Sequence, residues 1–457
     1  MKRRYRLDDL IIDTGTRQIT RGDVDLDVTG LSFDLLIALG QVAPQLLSAD
    51  ELNARVWPGQ IVSAETIAQR VKMVRQLLGD DAANPRYIAG LRGHGYRVLS
   101  LMVPLQETSP AAGGDSRVYE LYIQARATIH GTSASKDDAL KFLDEALALD
   151  PDFAPALAYR ALLQAGSVPL TGAPRSLLIG AEQDATRALT FDASLADAHV
   201  ARALVHADRR EWLEAETHFD AARRVEPANA FVNNLYALTV LRPTGQLVRA
   251  RHQLTETYRA MPADGFTLHE LTLTHSLLGE DAEMWRYARL TERLSGRMRH
   301  PWDVVWAFAR AEARRGAFAQ AELWANEALP PVLRAQGGVE VLNSLYSALA
   351  KPSEAPRACR AIESFVPALE GLQVDGRTRA FFIASLAALG SLNGAYDVIE
   401  GFLFAPTDAH WSVDLSDLWL PEMRLFRADR RFARLVERLG LTKYWHVLGV
   451  SPDVRNG

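Results

Sequence analysis

Cysteine is almost missing from this 457-residue chain, with Cys359 standing alone. An intrachain disulfide framework and a multi-cysteine zinc site are thereby excluded, which suits a reducing compartment. No apolar run approaches the roughly 20 residues that span a bilayer; one of the longest is only Val98 to Leu105. Met1-Lys-Arg-Arg-Tyr-Arg6 leads into an acidic-apolar alternation instead of an apolar stretch, so no secretory signal is expected. GxxxxGK[ST], GxGxxG after a strand, HExxH and GxSxG are absent, and with them the usual phosphate, dinucleotide, zinc and nucleophile sites. No catalytic residue, metal site or cofactor is expected. The chain reads as a cytoplasmic non-enzyme.

Strong charge of one sign is lacking too. The whole chain carries −5, but residues 1–100 hold 13 Lys+Arg against 12 Asp+Glu while the rest carries −6. A balance of +1 does not by itself mark a nucleic-acid binder. Placement is more informative. Acids cluster in 8–34, whereas Arg70, Lys72, Arg75, Arg86, Arg92 and Arg97 crowd the later half. The acid-rich lobe is expected to face away from a polyanion.

What is present begins with short alternating segments. Tyr5-Arg-Leu, Ile11-Ile12, Gln18-Ile19 and Val24-Asp-Leu-Asp-Val28 predict a small antiparallel sheet with a turn at Arg21-Gly22-Asp23. Thr29 can cap a helix running to about Val42, with Phe33, Leu36, Ile37 and Gly40 on one face and Pro44 beyond its end. Ser48-Ala-Asp-Glu51 has capping-box spacing and opens a short helix that turns Leu52 and Val56 inward before Trp57-Pro58-Gly59. Ser63 can cap a longer helix with the apolar stripe Ile67, Val71, Val74 and Leu78, ended by Gly79. Residues 85–98 follow as a hairpin with a glycine-rich tip, and 99–117 read as a linker (101–117 if residues 1–100 are taken as one domain).

Helix, exposed helix and β-wing in this order, behind a small sheet, resemble the OmpR/PhoB-type winged helix-turn-helix across residues 5–98. The landmarks are Phe33-Asp-Leu-Leu, Leu47-Ser48, Glu51-Leu52, Val56-Trp57, Val71 through Asp80, Tyr87-Ile88 and Arg92-Gly93-His-Gly95-Tyr96-Arg97. Val74 stands where leucine is usual, and Gly90-Leu91 where a Thr-Val pair would offer a hydroxyl to a phosphate. No receiver domain precedes the winged helix, so control by aspartyl phosphorylation of this chain is not implied.

Opposite its apolar stripe the third helix presents Glu65, Gln69, Lys72, Met73 and Gln76, flanked by Thr66 and Arg75. Such a helix fits the major groove, where Gln69 can pair with adenine and Met73 can meet a thymine methyl. Arg70 and Lys72 suit phosphates. Arg92 at the hairpin tip is placed for the minor groove, and Arg97 follows on the returning strand. The expected DNA-binding set is therefore Thr66, Gln69, Arg70, Lys72, Met73, Arg75, Arg92 and Arg97. The plain alternative is a solvated helix face and a surface hairpin.

From about residue 118 the chain is alanine-rich and repeats. Ala127, Ala139, Ala146 and Pro151 recur at the offsets of Ala203, Ala215, Ala222 and Pro227, with Ala250 and Pro262, then Ala309, Ala321 and Ala328, keeping parts of the pattern. These offsets resemble the tetratricopeptide repeat, in which small residues let two antiparallel helices approach closely. About eight extra residues near Pro169–Pro174, Gly337-Gly338 and Pro352–Pro356 interrupt it, and the segments at Trp419 and Trp445 read as an atypical cap on the last repeats. The fold class expected is multidomain: an α+β winged helix over 1–100, then an all-α tetratricopeptide-like solenoid over 118–457.

Other residues admit bland readings. His199, His206, His218, His269 and His275 read as surface or satisfied core groups, and Cys359 as a buried inert thiol. Trp212, Trp285, Trp302, Trp306, Trp324 and Trp411 suit packing between helices more than a ligand cage. The Arg-Arg pairs at 209, 223, 314 and 430 read as solvated faces, or as the lining of a groove for an acidic partner. Two functions follow. The first is a one-component transcriptional regulator whose winged helix binds promoter DNA and whose repeats sense a small-molecule or protein effector or mediate self-association. Its implied partners are double-stranded DNA and RNA polymerase, with a homodimer possible and no membrane. The second is a repeat-based scaffold with a winged helix that does not read DNA. Regulators joining this winged helix to such repeats form a recognisable group that includes the acid-responsive CadC type. CadC-like members carry a transmembrane helix where this chain has only its linker.

Overall fold

The computed structural model describes residues 4–22, 24–28, 30–43, 45–58, 62–82, 85–91, 94–100, 102–105, 116–128, 133–171, 176–295, 301–369, 376–404 and 415–453. Two compact units emerge: residues 1–150 with 260–263, and residues 151–259 with 264–457. No helix among the described residues is long and apolar enough to cross a membrane.

The first unit opens with β1 (Arg4–Leu7), β2 (Leu10–Asp13), β3 (Gln18–Arg21) and β4 (Val24–Leu26). Helices α1 (Gly30–Gly40), α2 (Ala49–Val56) and α3 (Ala64–Leu78) follow, then β5 (Ile88–Leu91), β6 (Gly95–Val98) and β7 (Met102–Leu105). The sheet has the order β4-β3-β2-β1-β7, antiparallel at each pairing, and β5-β6 form a separate hairpin. Alternation buries Leu7, Leu10, Ile12 and Ile19, which share one core with Phe33, Leu36, Leu39, Ile67, Val71, Val74 and Leu78. The capping box forms as expected: Ser48 Oγ accepts from Glu51 N, and Glu51 Oε2 accepts from Ser48 N at 2.8 Å. Ser63 Oγ caps α3, and Gly79 ends it at φ +67°.

One boundary moves. Met102–Leu105, read from sequence as linker, pairs with β1 in the register Leu7↔Met102 to Arg4↔Leu105. Pro104 disguises the strand, yet proline is tolerated on a sheet edge, and β7 is an edge strand. Thr29, Pro44, Gly59, Arg92 and Gly93 lie outside the described residues.

Helices α4 (Ser116–Thr128) and α5 (Ser133–Leu149) complete the first unit as a hairpin. In the second unit the pairs are α6 (Ala154–Thr171) with α7 (Ser176–Phe191) and α8 (Ala196–Asp208) with α9 (Trp212–Val225); α10 (Ala230–Tyr236) packs on α9, and α11 (Leu247–Ala260) follows it in the chain. Then come α12 (Gly265–Leu278) with α13 (Asp281–Ser295) and α14 (Trp302–Arg314) with α15 (Phe318–Ala328). After the short α16 (Pro331–Arg334), α17 (Gly338–Ala350) pairs with α18 (Ala355–Phe365), and α19 (Gly376–Ala388) with α20 (Leu392–Leu403). The chain ends in α21 (Arg424–Ala428), α22 (Arg431–Arg438) and α23 (Leu441–Leu448). Repeat alanines 139, 146, 203, 215, 222, 250, 309 and 321 are fully buried, as close helix approach requires. Ala127 is the exception. It is exposed, and Ala125 takes the buried place two residues earlier in α4.

The C-terminal segment is more than a cap on the last repeats. Phe426 stacks on Tyr396 there, with ring centroids 4.0 Å apart. Its tryptophans, however, return to a region some two hundred residues earlier. Trp419 Nε1 donates to Pro243 O at 3.1 Å, and Trp445 Nε1 to Thr244 O at 2.8 Å. In exchange Trp212 Nε1 donates to Leu439 O at 2.7 Å. Buried Glu216 accepts from Tyr236 Oη, Tyr444 Oη and Arg249 Nη2. Gly245, at φ +77°, packs so tightly that a Cβ would lie 2.8 Å from Pro452 Cβ. Each Arg-Arg pair keeps one exposed member, Arg209, Arg224, Arg315 and Arg430, as the solvated-face reading expects, while several of these arginines also hold ion pairs within the unit. Arg209 pairs with Glu182, Arg314 with Asp281 and Glu422, Arg315 with Glu312, and Arg431 with Asp429.

Candidate nucleic-acid interface

The core side of α3 is set by Ile67, Val71, Val74 and Leu78, all buried. Helical periodicity then turns Glu65, Gln69, Lys72, Met73 and Gln76 outward, and each is exposed. Gln69, Lys72 and Met73 make no hydrogen bond or ion pair with any described residue, so their outer atoms are left to solvent or a ligand. Thr66, also exposed, shares its hydroxyl with Ser63 Oγ at 3.0 Å beside the N-cap. Arg70 is half-buried and reaches back to Ser32 Oγ on α1 at 3.4 Å.

Arg75 is committed elsewhere. Its Nε and Nη2 donate to Ile88 O at 3.2 and 2.8 Å, tying α3 to the first wing strand. Asp80 works beside it, its carboxylate accepting from Arg86 N at 2.6 Å and Ile88 N at 2.9 Å. Arg21 Nη2 donates to Leu78 O, the end of α3, at 2.6 Å and to Tyr87 Oη at 3.0 Å. Tyr87 Oη in turn donates to Asp9 Oδ1 at 2.5 Å. Burial, with that hydrogen bond to Asp9 adding to it, pushes the Tyr87 phenol up to about 12. Arg86 completes the cluster, held by Asp8 at 2.7 Å and Asp9 at 3.0 Å. Sequence placed Arg86 in a basic crowd; the fold neutralises it against the acids of the β1–β2 turn.

The wing is fastened at its other strand as well. Leu47 and Tyr96 exchange backbone hydrogen bonds at 2.8 and 2.9 Å. Gly95, at φ +135°, makes this possible, because a Cβ there would stand 1.9 Å from Leu47 O. Gly90 fits beneath the Tyr96 ring, 3.1 Å from where a Cβ would sit. A side chain at that place would have to displace the ring by a few tenths of an ångström. Arg97 is half-buried opposite Ala89. Arg92, assigned to the wing tip, falls outside the described residues.

The fold thus brings Thr66, Gln69, Arg70, Lys72 and Met73 together on α3, with Arg75 turned toward the wing. Sequence reasoning missed the Asp9–Arg21–Tyr87–Arg86 cluster, whose members are separated by as many as 78 positions. It also treated the histidines singly. His199 Nδ1 lies 3.1 Å from His218 Nδ1, while the His206 ring stacks on His218 and its Nδ1 meets Glu211 at 2.6 Å. Burial, then the neighbouring His199, His206 and Arg202, lowers His218 to about 4. Cys359 is buried, and that burial, reinforced by Glu363, raises its thiol as expected for an inert group. Among the described residues no group of histidine, cysteine or carboxylate side chains could hold a metal ion.

Comparison with known proteins agrees with this construction. Residues 23–98 match the family described as "Transcriptional regulatory protein, C terminal". The transcriptional activator CadC of Escherichia coli K12 is 30% identical over 140 residues, 27% of each chain. The response regulator MtrA of Mycobacterium tuberculosis H37Rv is 33% identical over 91 residues, 20% of this chain and 40% of its own. The matches therefore span well under half of either relative. Among solved structures, the Klebsiella pneumoniae RstA DNA-binding domain in complex with RstA box is 24% identical, with TM-score 0.20, covering 21% of this chain and 96% of that one. A human IFIT1 dimer is 14% identical, with TM-score 0.41, covering 74% of this chain and 78% of that one. Residues 23–98 belong to the OmpR/PhoB-type family of transcriptional-regulator DNA-binding domains.

Proposed function

We propose that this chain is a one-component transcriptional regulator acting in the cytoplasm. Its winged helix, within residues 1–100, binds promoter DNA. Its helical repeats, within 118–457, take up a small molecule or protein partner or bring two copies together, and the DNA-bound form engages RNA polymerase. The observation that carries this reading is the outward face of α3: Gln69, Lys72 and Met73 stand exposed and uncommitted beside a wing fastened at both strands.

Gln69 and Met73 read base edges in the major groove, while Thr66, Arg70, Lys72 and Arg97 contact the backbone. Arg92 enters the adjacent minor groove, an assignment that rests on sequence position alone. Arg75 contributes chiefly by fixing the wing. The acids at 8 and 9 do not oppose DNA strongly, being matched by Arg86 and Arg21.

The test is binding of the full chain to genomic DNA fragments at varied salt. Regulator function predicts affinity falling steeply with log[salt], plus a sequence preference. Gln69→Ala should relax discrimination at one base position and leave the salt slope unchanged. A folded protein showing neither salt dependence nor preference would sink the proposal.

A further inference from the structure

Among the described residues of the winged helix, the large apolar side chains more than a third exposed are Val24 at 63%, Met73 at 39% and Leu77 at 38%. Val24 sits on the edge strand β4. Met73 and Leu77 stand one turn apart on α3, outside the buried stripe of Ile67, Val71, Val74 and Leu78. A single exposed apolar group needs no explanation. Two neighbours on a helix of the DNA-reading type call for one, because solvent is a poor partner for both.

The cations of the same helix narrow what the face can read. Guanine is read most often by arginine or lysine reaching its O6 and N7. Here Arg75 donates twice to Ile88 O, and half-buried Arg70 reaches Ser32 Oγ at 3.4 Å. Lys72 is exposed beside Met73 and suits a phosphate. Glu65 and Gln76, also exposed, bring no positive charge to the groove. Gln69 offers an amide that fits adenine N6 and N7, and Met73 with Leu77 offers only apolar surface. In the major groove thymine is the base that presents a methyl, at C5. One turn of helix advances about 6 Å and one base step about 3.4 Å, so the pair spans one to two steps.

We propose that Met73 and Leu77 form a methyl-reading pair, and that the operator is an A·T-rich duplex recognised through the C5-methyl groups of two thymines one or two steps apart. The flexible thioether of Met73 fits itself to one methyl, Leu77 covers the other, and Gln69 takes the adenine edge. The same surface accepts 5-methylcytosine, whose methyl stands at the same place, so cytosine methylation at these positions strengthens binding. This deepens the proposed function and rests on it, since it names the class of DNA that the winged helix selects.

The experiment incubates the full chain with a library of randomised duplexes, then remakes the enriched duplex with deoxyuridine in place of each thymidine in turn. That exchange removes the methyl and leaves the hydrogen-bonding edge unaltered. Burying one such carbon is worth about fourfold in affinity, so uracil should weaken binding about fourfold at each of two positions, with the salt slope unchanged. Met73→Ala should be indifferent to uracil at one of them and Leu77→Ala at the other. Both side chains are exposed and alanine favours helix, so the fold is kept, and circular dichroism checks it. With C·G placed at either position, a 5-methyl on the cytosine should tighten binding by the wild-type chain. Binding blind to uracil at every position would overturn the proposal. So would uracil sensitivity unchanged in both variants, the result expected of an apolar pair that contacts protein instead. Enrichment and salt dependence without a uracil effect would refute methyl reading alone; a folded chain showing neither would refute the regulator and this reading with it.

Discussion

Replacing Arg75 by methionine separates a residue that touches DNA from one that holds the DNA-reading parts together. The guanidinium donates twice to Ile88 O while half-buried between α3 and β5. A hydrogen bond from a charged donor contributes about 1.5–3 kcal/mol net when well shielded. Partial exposure brings the expected loss to roughly 1–2 kcal/mol, because solvent screens the charge. Asp80 still anchors Ile88 N at 2.9 Å, so the wing should loosen without detaching. If that cost is taken up in DNA binding, affinity falls about tenfold, since 1.4 kcal/mol is a factor of ten. Salt dependence is the decisive readout. A lost phosphate contact lowers the slope of log K against log[salt] by about 0.9, whereas a loosened wing does not. Lys72→Ala supplies the reference, with a reduced slope and unchanged stability. Titration of labelled duplex at several salt concentrations, beside a urea midpoint for each variant, measures both. Unchanged stability in Arg75→Met with a slope reduced like that of Lys72→Ala would refute the positioning role.

Gly95→Ala should undo the pairing of Leu47 with Tyr96, because the added carbon falls 1.9 Å from Leu47 O; fast hydrogen exchange at both amides, with weakened DNA binding, is the expected outcome, and retained protection would contradict it. Gly245→Ala should destabilise the second unit by about 2 kcal/mol or more through strain at positive φ and overpacking, since its Cβ would press on Pro452 and Trp419; an unchanged urea midpoint would count against the packing described. His218, lowered from 6.5 to about 4 in the folded chain, takes its proton more readily when unfolded. Stability should therefore fall as pH drops through that window. His218→Gln should flatten the dependence in urea titrations, and an identical slope would remove His218 as its cause.

Local chemistry made much of the first unit legible without coordinates. The stripe at 67, 71, 74 and 78, the Ser48–Glu51 box, the Ser63 cap and Gly79 each act within a few residues, and periodicity alone then exposes Gln69, Lys72 and Met73. The repeat alanines were legible for the same reason, apart from Ala127, where the offset was carried into a hairpin that does not keep it. Three features depended on the folded chain. Arg75 and Arg86 looked like free charge because composition does not show that Ile88 O and the Asp8–Asp9 turn lie within reach. Strand β7 hid behind Pro104 because an edge strand needs a partner more than it needs a pattern. The Trp419 and Trp445 contacts at 243–244 join residues more than a hundred positions apart. Sequence determined the elements and their outward faces, since those follow from hydrogen bonds and side-chain periods along the chain. Tertiary structure alone decided which charges are spent, because that depends on who becomes a neighbour when the chain closes.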